Sequence, residues 1–243
     1  MVTGPATHFG RAAAEYARGR PGYLQEAVDW MLEGVDGMVL DLGAGTGKLT
    51  EAVLHSGHRA IAVDPDPVML ATFELHVPGV RPLRGSAEQI PLEDASVDAV
   101  VVGQAWHWFD ADKASAEIAR VLRPGGRLGL IWNVRDETVP WVAALTCVIG
   151  HSAAERLIEG GGPRVPAPFV SGGSRAWPWR NAVTGASVRA LVHSRSGYIG
   201  ATDTFRSDVD QALDAFIART PELADGGTAE LPYVAHVFRA DLP

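Results

Sequence analysis

The segment from residue 39 to 48 constrains the fold of this chain more than any other feature. It reads Val39-Leu-Asp-Leu-Gly-Ala-Gly-Thr-Gly-Lys48, an apolar strand that enters a glycine-rich turn and then a helix. Gly43, Gly45 and Gly47 lack Cβ atoms, so the chain can turn tightly and a ligand can lie against the main chain. The turn predicts a nucleotide-sized ligand site, although an ordinary strand-to-helix turn without a ligand gives the same pattern.

A second strand places an acid beside this turn. The run Arg59-Ala-Ile-Ala-Val-Asp64 is followed by Pro65, and Asp64 lies 17 residues beyond Gly47. In a doubly wound sheet, Asp64 then ends the neighbouring strand, where a carboxylate can accept both hydroxyls of a ribose. The alternative is that Asp64 only caps the next helix. The paired motifs favour the ribose role.

The turn and the acid before it are typical of one family. Asp41 followed by Gly-x-Gly-x-Gly resembles motif I of the class I S-adenosylmethionine-dependent methyltransferases, whereas dinucleotide enzymes carry Gly-x-Gly-x-x-Gly. A dinucleotide needs a helix N-terminus aimed at its pyrophosphate, but S-adenosylmethionine has no phosphate and carries a sulfonium cation. The resemblance implies that Asp41 supports the methionine end of S-adenosyl-L-methionine, and that Ala44 and Pro65 contact this cofactor beside the glycines.

The loop that begins at Gly85 extends the resemblance. Gly85-Ser-Ala-Glu-Gln-Ile-Pro and the strand after it look like the adenine-binding loop and fourth strand of the family. The resemblance implies that Ser86, Ala87 and Glu88 bind the adenine. Many relatives carry Asp where Ser86 stands, and a hydroxyl accepts a hydrogen bond from the adenine amino group more weakly than a carboxylate does.

An aromatic and imidazole cluster ends the fourth predicted strand, in Gly103-Gln-Ala-Trp-His-Trp-Phe-Asp110. This run resembles a subgroup of small-molecule methyltransferases that includes trans-aconitate methyltransferase-like proteins. Gln104 and Trp108 are therefore candidate cofactor contacts, and His107 is the candidate catalytic residue. Capping of the helix that starts near Asp110 is an equal alternative role for His107, and core packing is the alternative role of the tryptophans.

The N-terminal segment resembles the lid helices of the same subgroup, over Phe9 to Tyr23. The resemblance implies that Tyr16 and Arg20 face the carboxylate of the cofactor. An Arg can bind a carboxylate through two parallel hydrogen bonds, although a surface Arg without a defined contact is the commoner case.

Alternating strand and helix signals through residue 133 predict a mainly parallel sheet with right-handed crossovers. Together with these signals, the family resemblance implies an α/β fold, a Rossmann-like, doubly wound sheet of seven strands. The sheet is mostly parallel with an antiparallel C-terminal strand, and N-terminal lid helices are added. One methyltransferase domain is predicted over residues 1–243, divided into lid helices (1–36), a cofactor-binding core (37–134) and substrate-side helices with C-terminal strands (135–243).

The last hundred residues carry weaker signals. Residues 160–169 are rich in Gly and Pro and predict a loop, and Pro178 interrupts a short edge strand over 175–180. Helices are predicted near 186–195 and 205–219. The alternation over 231–238 predicts a strand, and the resemblance makes it the antiparallel seventh strand.

Charge and cysteine content exclude several classes of function. The net charge of −8 and pI near 5.4 disfavour a nucleic-acid partner, because no basic run exists to contact phosphates. Cys147, the only cysteine, excludes an internal disulfide and a zinc cluster, and its apolar surroundings predict a core position. No signal peptide or 18-residue apolar run occurs, so no membrane role and a cytoplasmic location are expected.

The resemblance implies direct in-line methyl transfer to a small-molecule acceptor by O-, N- or C-methylation. His107 would take a proton from a hydroxyl, amine or carbon acid, whereas a carboxylate acceptor needs no base. Alternatives are a non-catalytic cofactor-binding protein of the same fold and, disfavoured by the turn, an NAD(P)-dependent oxidoreductase. The acceptor, the methylated atom and the oligomeric state stay open. Candidates for an aromatic acceptor pocket, with core packing as their alternative role, are Trp132, Trp141, Trp177, Trp179 and His193.

Overall fold

The computed structural model describes residues 18–243, and its centre is a seven-stranded sheet. The strands are β1 (Met38–Leu42), β2 (Arg59–Asp64), β3 (Leu83–Arg84), β4 (Val97–Gly103), β5 (Leu122–Arg135), β6 (Val170–Thr184) and β7 (Thr228–Asp241). Their order across the sheet is β3-β2-β1-β4-β5-β7-β6. The chain reverses its direction of winding between β1 and β4, which is where doubly wound sheets bind ligands.

Strand directions confirm the predicted fold class. β1 to β5 are parallel, whereas β7 is antiparallel to both of its neighbours, β5 and β6. The predicted strand over 231–238 lies within β7, and the predicted edge strand over 175–180 lies within β6. β6 is longer than predicted because it pairs with β7 along its whole length. Pro178 is tolerated there because an edge strand can turn one side of its backbone away from the sheet.

Helices flank the sheet and follow its strands. They are α1 (Gln25–Leu32), α2 (Lys48–His55), α3 (Pro67–His76), α4 (Ala111–Val121), α5 (Pro140–Ile149), α6 (Ala153–Glu159), α7 (Gly185–His193), α8 (Ser196–Ile199) and α9 (Asp203–Arg219). α7 and α9 correspond to the two helices predicted in the C-terminal part. Within residues 18–243, no helix is both long and apolar enough to cross a membrane.

Side chains of the central strands alternate between two buried faces of the sheet. Leu40 and Leu42 of β1 pack with Ile118 of α4, and Val39 packs on the other face with Met31 of α1. Burial on both faces explains why these strands read as nearly continuous apolar runs. The result is a helix–sheet–helix sandwich whose strand ends are free to form a site.

A third apolar cluster includes residues from the end of β6 and the start of β7. In it α5, α7 and α9, which we call the cap helices, pack together through residues such as Leu145, Leu191 and Leu213. Cys147 is exposed, so its predicted core position is wrong. The apolar run around it is helical, and Leu145 and Thr146 of α5 point inward while Cys147 occupies the opposite side.

Candidate functional site

A cavity of about 480 Å³ lies between the carboxyl edge of the sheet and the cap helices. Its volume falls within the range of roughly 300 to 1,000 Å³ that small-molecule sites occupy. The fold brings together many of the residues singled out in the sequence. Those lining the cavity are Arg20, Gly43, Gly45, Asp64, Pro65, Gln104, His107 and Trp108.

The three glycines of the turn have different surroundings, although all have positive φ. A Cβ added at Gly45, where φ is +56°, would meet nothing within 4 Å. At Gly43 it would lie 2.8 Å from the Cβ of Ala105, and at Gly47 it would collide with Val77 and Phe73. The backbone at Gly45 is therefore accessible from the cavity. At Gly47, the missing Cβ leaves room for side chains of the α3 region, so α2 can begin next to them.

Asp64 is buried at the end of β2, on the cavity wall. Its Oδ2 accepts a hydrogen bond from the Gly45 N–H (2.9 Å), and its Oδ1 accepts one from the Asp66 N–H (2.9 Å). Asp66, and not Asp64, caps α3, because the Asp66 Oδ1 accepts from the Val68 N–H. Burial raises the pKa of Asp64 to about 6. Each carboxylate oxygen keeps a further lone pair with which to accept from a ligand.

Asp41 lies in a small recess that adjoins the cavity, together with Ala44. The Thr50 hydroxyl donates to Asp41 Oδ2 (2.6 Å), while Oδ1 is buried and has no partner among the described residues. Burial, with a smaller contribution from the negative charge of Asp64, raises the pKa of Asp41 to about 7. A buried carboxylate oxygen without a donor is unusual and fits a cationic ligand group in the recess.

Two amide side chains complete the recess. Gln104 directly follows β4 with φ at +60°, which is uncommon for a residue other than glycine, and its Nε2 donates to the Asn133 carbonyl (3.1 Å). Asn133 of β5 donates from Nδ2 to the Gly22 carbonyl (2.9 Å), and its buried Oδ1 has no partner in the described part of the chain. The sequence analysis did not select Asn133, although its place near the carboxyl end of a strand is a usable signal.

The predicted adenine loop lies away from the cavity lining. Ser86 pairs with Gln89 through two backbone hydrogen bonds, and Ala87 is buried in the core. Glu88 Oε1 accepts from the Asp110 N–H (3.0 Å). The adenine contacts of Ser86, Ala87 and Glu88 therefore stay predictions. So does the role of Tyr16, which lies outside the described residues.

His107 lines the cavity from a single helical turn, Trp106–Trp108. It does not cap α4, because Asp110 fills that position and accepts from the Lys113 N–H. The His107 Nδ1 is buried without a partner among residues 18–243. Burial lowers the pKa of His107 to about 4, and the positive charges of Arg20 and Arg156 contribute. The imidazole is therefore neutral near pH 7 and can accept a proton or a hydrogen bond.

The tryptophans divide between the core and the cavity. Trp106 is buried and its Nε1 donates to the Arg164 carbonyl (3.2 Å), so this residue is structural. The ring of Trp108 lines the cavity, with its centroid 4.8 Å from that of His107. The five candidates for an aromatic acceptor pocket do not line the cavity, and two of them, Trp132 and Trp177, are core residues.

The far wall of the cavity comes from the region of the cap helices, and sequence analysis did not find its residues. It contains the charged residues Arg156 and Arg195 and the apolar residues Ile149, Val192 and Val209. They are scattered over some sixty positions and form no motif. Only the packing of the cap helices brings them together.

Comparison with known proteins agrees with this architecture. A family model described as a methyltransferase domain matches residues 40–130, which run from β1 to β5. The chain is 44% identical to an uncharacterized methyltransferase of Mycobacterium tuberculosis, over 96% of this chain and 95% of that protein. It is 33% identical to an uncharacterized methyltransferase-like protein of Schizosaccharomyces pombe, over 96% of this chain and 94% of the relative.

Solved structures share the fold at lower identity. A proposed type II methyltransferase from Anaeromyxobacter dehalogenans aligns with a TM-score of 0.62 and 23% identity, over 91% of this chain and 97% of that one. A proposed methyltransferase from an antibiotic biosynthesis pathway of Anabaena variabilis aligns with a TM-score of 0.56 and 19% identity, over 91% and 98%. The chain belongs to the class I S-adenosylmethionine-dependent methyltransferase family.

Proposed function

We propose that this chain binds S-adenosylmethionine in the cavity and transfers its methyl group to a small-molecule acceptor. One observation carries the proposal: two buried carboxylates, Asp41 and Asp64, flank a turn whose Gly45 opens onto the cavity. Burial of two acids side by side is costly unless a cation or hydrogen-bond donors meet them. S-adenosylmethionine supplies both, through its ammonium and sulfonium groups and its ribose hydroxyls.

The described residues fit this cofactor at its ribose and at its methionine end. Asp64 would accept from the ribose hydroxyls, because its two oxygens are held toward the turn by the Gly45 and Asp66 N–H groups. The unpartnered Asp41 Oδ1 would meet the ammonium of the methionine end in the recess, where Arg20 would meet its carboxylate. The same recess is a poor site for a pyrophosphate, because a phosphate beside Asp41 places like charges together.

When bound, S-adenosylmethionine supplies an electrophilic methyl group. The residues of this chain then have three tasks: to orient the acceptor for direct in-line transfer, to exclude water and to remove a proton. Trp108 and the cap helices cover the cavity. His107 is neutral near pH 7, so its imidazole would take the proton of an acceptor hydroxyl or amine.

The acceptor is proposed to be a small molecule. The cavity is bounded by the sheet edge on one side and by the cap helices on the other, which suits a compact substrate. The net charge of −8 argues against a nucleic-acid acceptor.

Replacing His107 by alanine is expected to lower turnover by about 100-fold or more, because general-base catalysis contributes roughly that much. Affinity for S-adenosylhomocysteine should change by less than about threefold. At saturating S-adenosylmethionine, the wild-type rate should stay constant from about pH 8 to pH 5 and fall only as the pH approaches 4, because His107 is protonated there. The measurement is tritium transfer from methyl-labelled S-adenosylmethionine to the best acceptor in a panel of phenols, amines and hydroxy acids.

His55→Ala is the matched control, because His55 is exposed at the end of α2. Equal turnover in His107→Ala and His55→Ala contradicts the base assignment. Binding of S-adenosylhomocysteine without transfer to any acceptor favours a non-catalytic protein of this fold.

A further inference from the structure

Two arginines and one glutamate form a buried charge cluster behind the far wall of the cavity. Arg135, Glu155 and Arg195 are 7%, 4% and 8% exposed. A buried charge is expensive unless an opposite charge and hydrogen bonds compensate it. Two buried cations that share one anion leave a positive charge that the cluster itself does not balance.

Glu155 is committed to partners other than Arg195. Its Oε1 lies 2.8 Å from Arg135 Nη2, and its Oε2 accepts from the Ser152 N–H in the capping box of α6. The nearest approach of Arg195 to this carboxylate is 3.9 Å, from Nη2 to Oε2. Arg135 also donates to Thr146, whose hydroxyl donates to Glu137. Glu155, the one carboxylate of the cluster, thus serves Arg135 first, and Glu137 is linked to Arg135 through Thr146.

Arg195 lines the cavity, and its buried guanidinium keeps one hydrogen-bond donor unused. Its Nη2 donates to the Gly150 carbonyl (2.7 Å), but Nη1 is buried and has no partner among residues 18–243. The nearby charges that act on Arg195 are Arg135, Glu155, Arg20 and Arg156. Burial and the neighbouring positive charges lower the pKa of Arg195 to about 10, so it remains a cation at neutral pH.

The lining of the cavity offers no anion to Arg195. Of the described lining residues, Asp64 is the one acid, and it belongs to the cofactor end. The same wall carries the apolar side chains of Ile149, Val192 and Val209, beside neutral polar residues such as Ser196 and Tyr198. A chain with a net charge of −8 therefore keeps a positive, partly apolar wall opposite its glycine turn.

We propose that the Arg195 guanidinium binds an anionic group of the methyl acceptor, a carboxylate or a phosphate, while an apolar body lies against Ile149, Val192 and Val209. The proposal rests on the proposed function, because the acceptor must lie in the same cavity as the cofactor. Arginine suits this role, since its hydrogen bonds to such anions are charge-assisted and directional. The reacting hydroxyl or amine is a separate group of the acceptor, near His107.

Calorimetry with three matched probes tests the proposal. Protein saturated with S-adenosylhomocysteine is titrated with phenylacetate, its neutral analogue phenylacetamide, and benzyl phosphate. At least one anion should bind about tenfold more tightly than the amide. The anion accepts a charge-assisted hydrogen bond from the buried arginine, whereas the amide is a neutral and weaker acceptor. Preference for phenylacetate identifies a carboxylate acceptor, and preference for benzyl phosphate identifies a phosphate.

Arg195→Met should abolish the preference, so that anion and amide bind within about threefold of each other, while S-adenosylhomocysteine affinity is retained. Arg195→Lys, which keeps the charge, is the second variant if the methionine protein does not fold. Arg189→Met is the matched control, because Arg189 lies on α7, is exposed and pairs with Asp214 outside the cavity. It should keep the wild-type preference.

Three results overturn the proposal: equal binding of anion and amide to the wild type, an unchanged preference in Arg195→Met, or no binding of any probe. Each leaves the proposed function intact if S-adenosylhomocysteine still binds. Failure of S-adenosylhomocysteine to bind the wild type instead rejects the proposed function itself.

Discussion

Replacing Asp64 by alanine is expected to weaken S-adenosylhomocysteine binding by about 100-fold, or about 2.8 kcal/mol. Two ribose hydroxyls lose a charged acceptor, and each such hydrogen bond contributes roughly 1.5 to 3 kcal/mol. The Gly45 N–H also loses its partner, so the turn is less well held. Calorimetric titration of the variant measures the loss directly.

The affinity of the wild type should depend on pH through the same carboxylate. Because burial raises the pKa of Asp64 to about 6, the carboxylate is ionised above that pH and protonated below it. Asp41, whose pKa is raised to about 7, loses its charge over the adjoining range, so affinity is constant above about pH 8 and falls as the pH drops through 7 and 6. Asp64→Ala should show a flatter profile.

Asp98→Ala is the matched control for Asp64→Ala. Asp98 also accepts a backbone N–H, from Met38 (2.7 Å), but it stands near the start of β4, at the opposite edge of the sheet. Loss of affinity in both variants points to general weakening of the fold. Unchanged affinity in Asp64→Ala contradicts the ribose assignment.

The second large effect is on stability. Glu155→Gln is expected to lower the free energy of unfolding by about 3 to 5 kcal/mol, because it leaves Arg135 and Arg195 buried without their shared anion. The capping box of α6 can be kept, because the amide oxygen of glutamine also accepts from the Ser152 N–H, so the loss reports the missing charge. Urea denaturation followed by circular dichroism gives the value.

Glu159→Gln provides the comparison on the same helix. Its carboxylate is more than half exposed, and surface ion pairs contribute at most about 1 kcal/mol. The two variants change the same functional group one helical turn apart. A loss below about 1 kcal/mol in Glu155→Gln means that the cluster is solvated or otherwise compensated, and the argument for an uncompensated charge at Arg195 then fails.

The cofactor half of the molecule was predictable from sequence because its signals are local. The glycine turn, the strand ending at Asp64 and the strand ending at Gly103 each combine a periodic apolar run with a breaker. Parallel strands bring their carboxyl ends to one edge, so Asp64, Gln104 and His107 meet there. These residues needed no tertiary information beyond the order of the strands.

The acceptor half was not predictable because it depends on packing between distant segments. Arg195 is a single arginine between two helices, and nothing near it in sequence shows that Glu155 and Arg135 will be buried beside it. The predicted core position of Cys147 is wrong because an apolar run does not bury every residue when it forms a helix. Such a helix buries only one side. Ser86 illustrates a further limit, since a loop motif does not fix which of its side chains face a ligand.

Several predictions from resemblance stay predictions. They are the likeness of the Gly103–Asp110 segment to trans-aconitate methyltransferase-like proteins, the lid role of residues 1–36 and the division of the chain at residues 36 and 134. The two structural comparisons described above show the fold alone, because both solved structures share less than 25% sequence identity with this chain.

The most direct test of the central claim is calorimetric titration of the wild-type protein with S-adenosylmethionine and, separately, with NADH. Our account predicts micromolar binding of S-adenosylmethionine and no binding of NADH, because the two buried carboxylates at the turn attract a cation and repel a pyrophosphate. Binding of NADH without binding of S-adenosylmethionine contradicts the account.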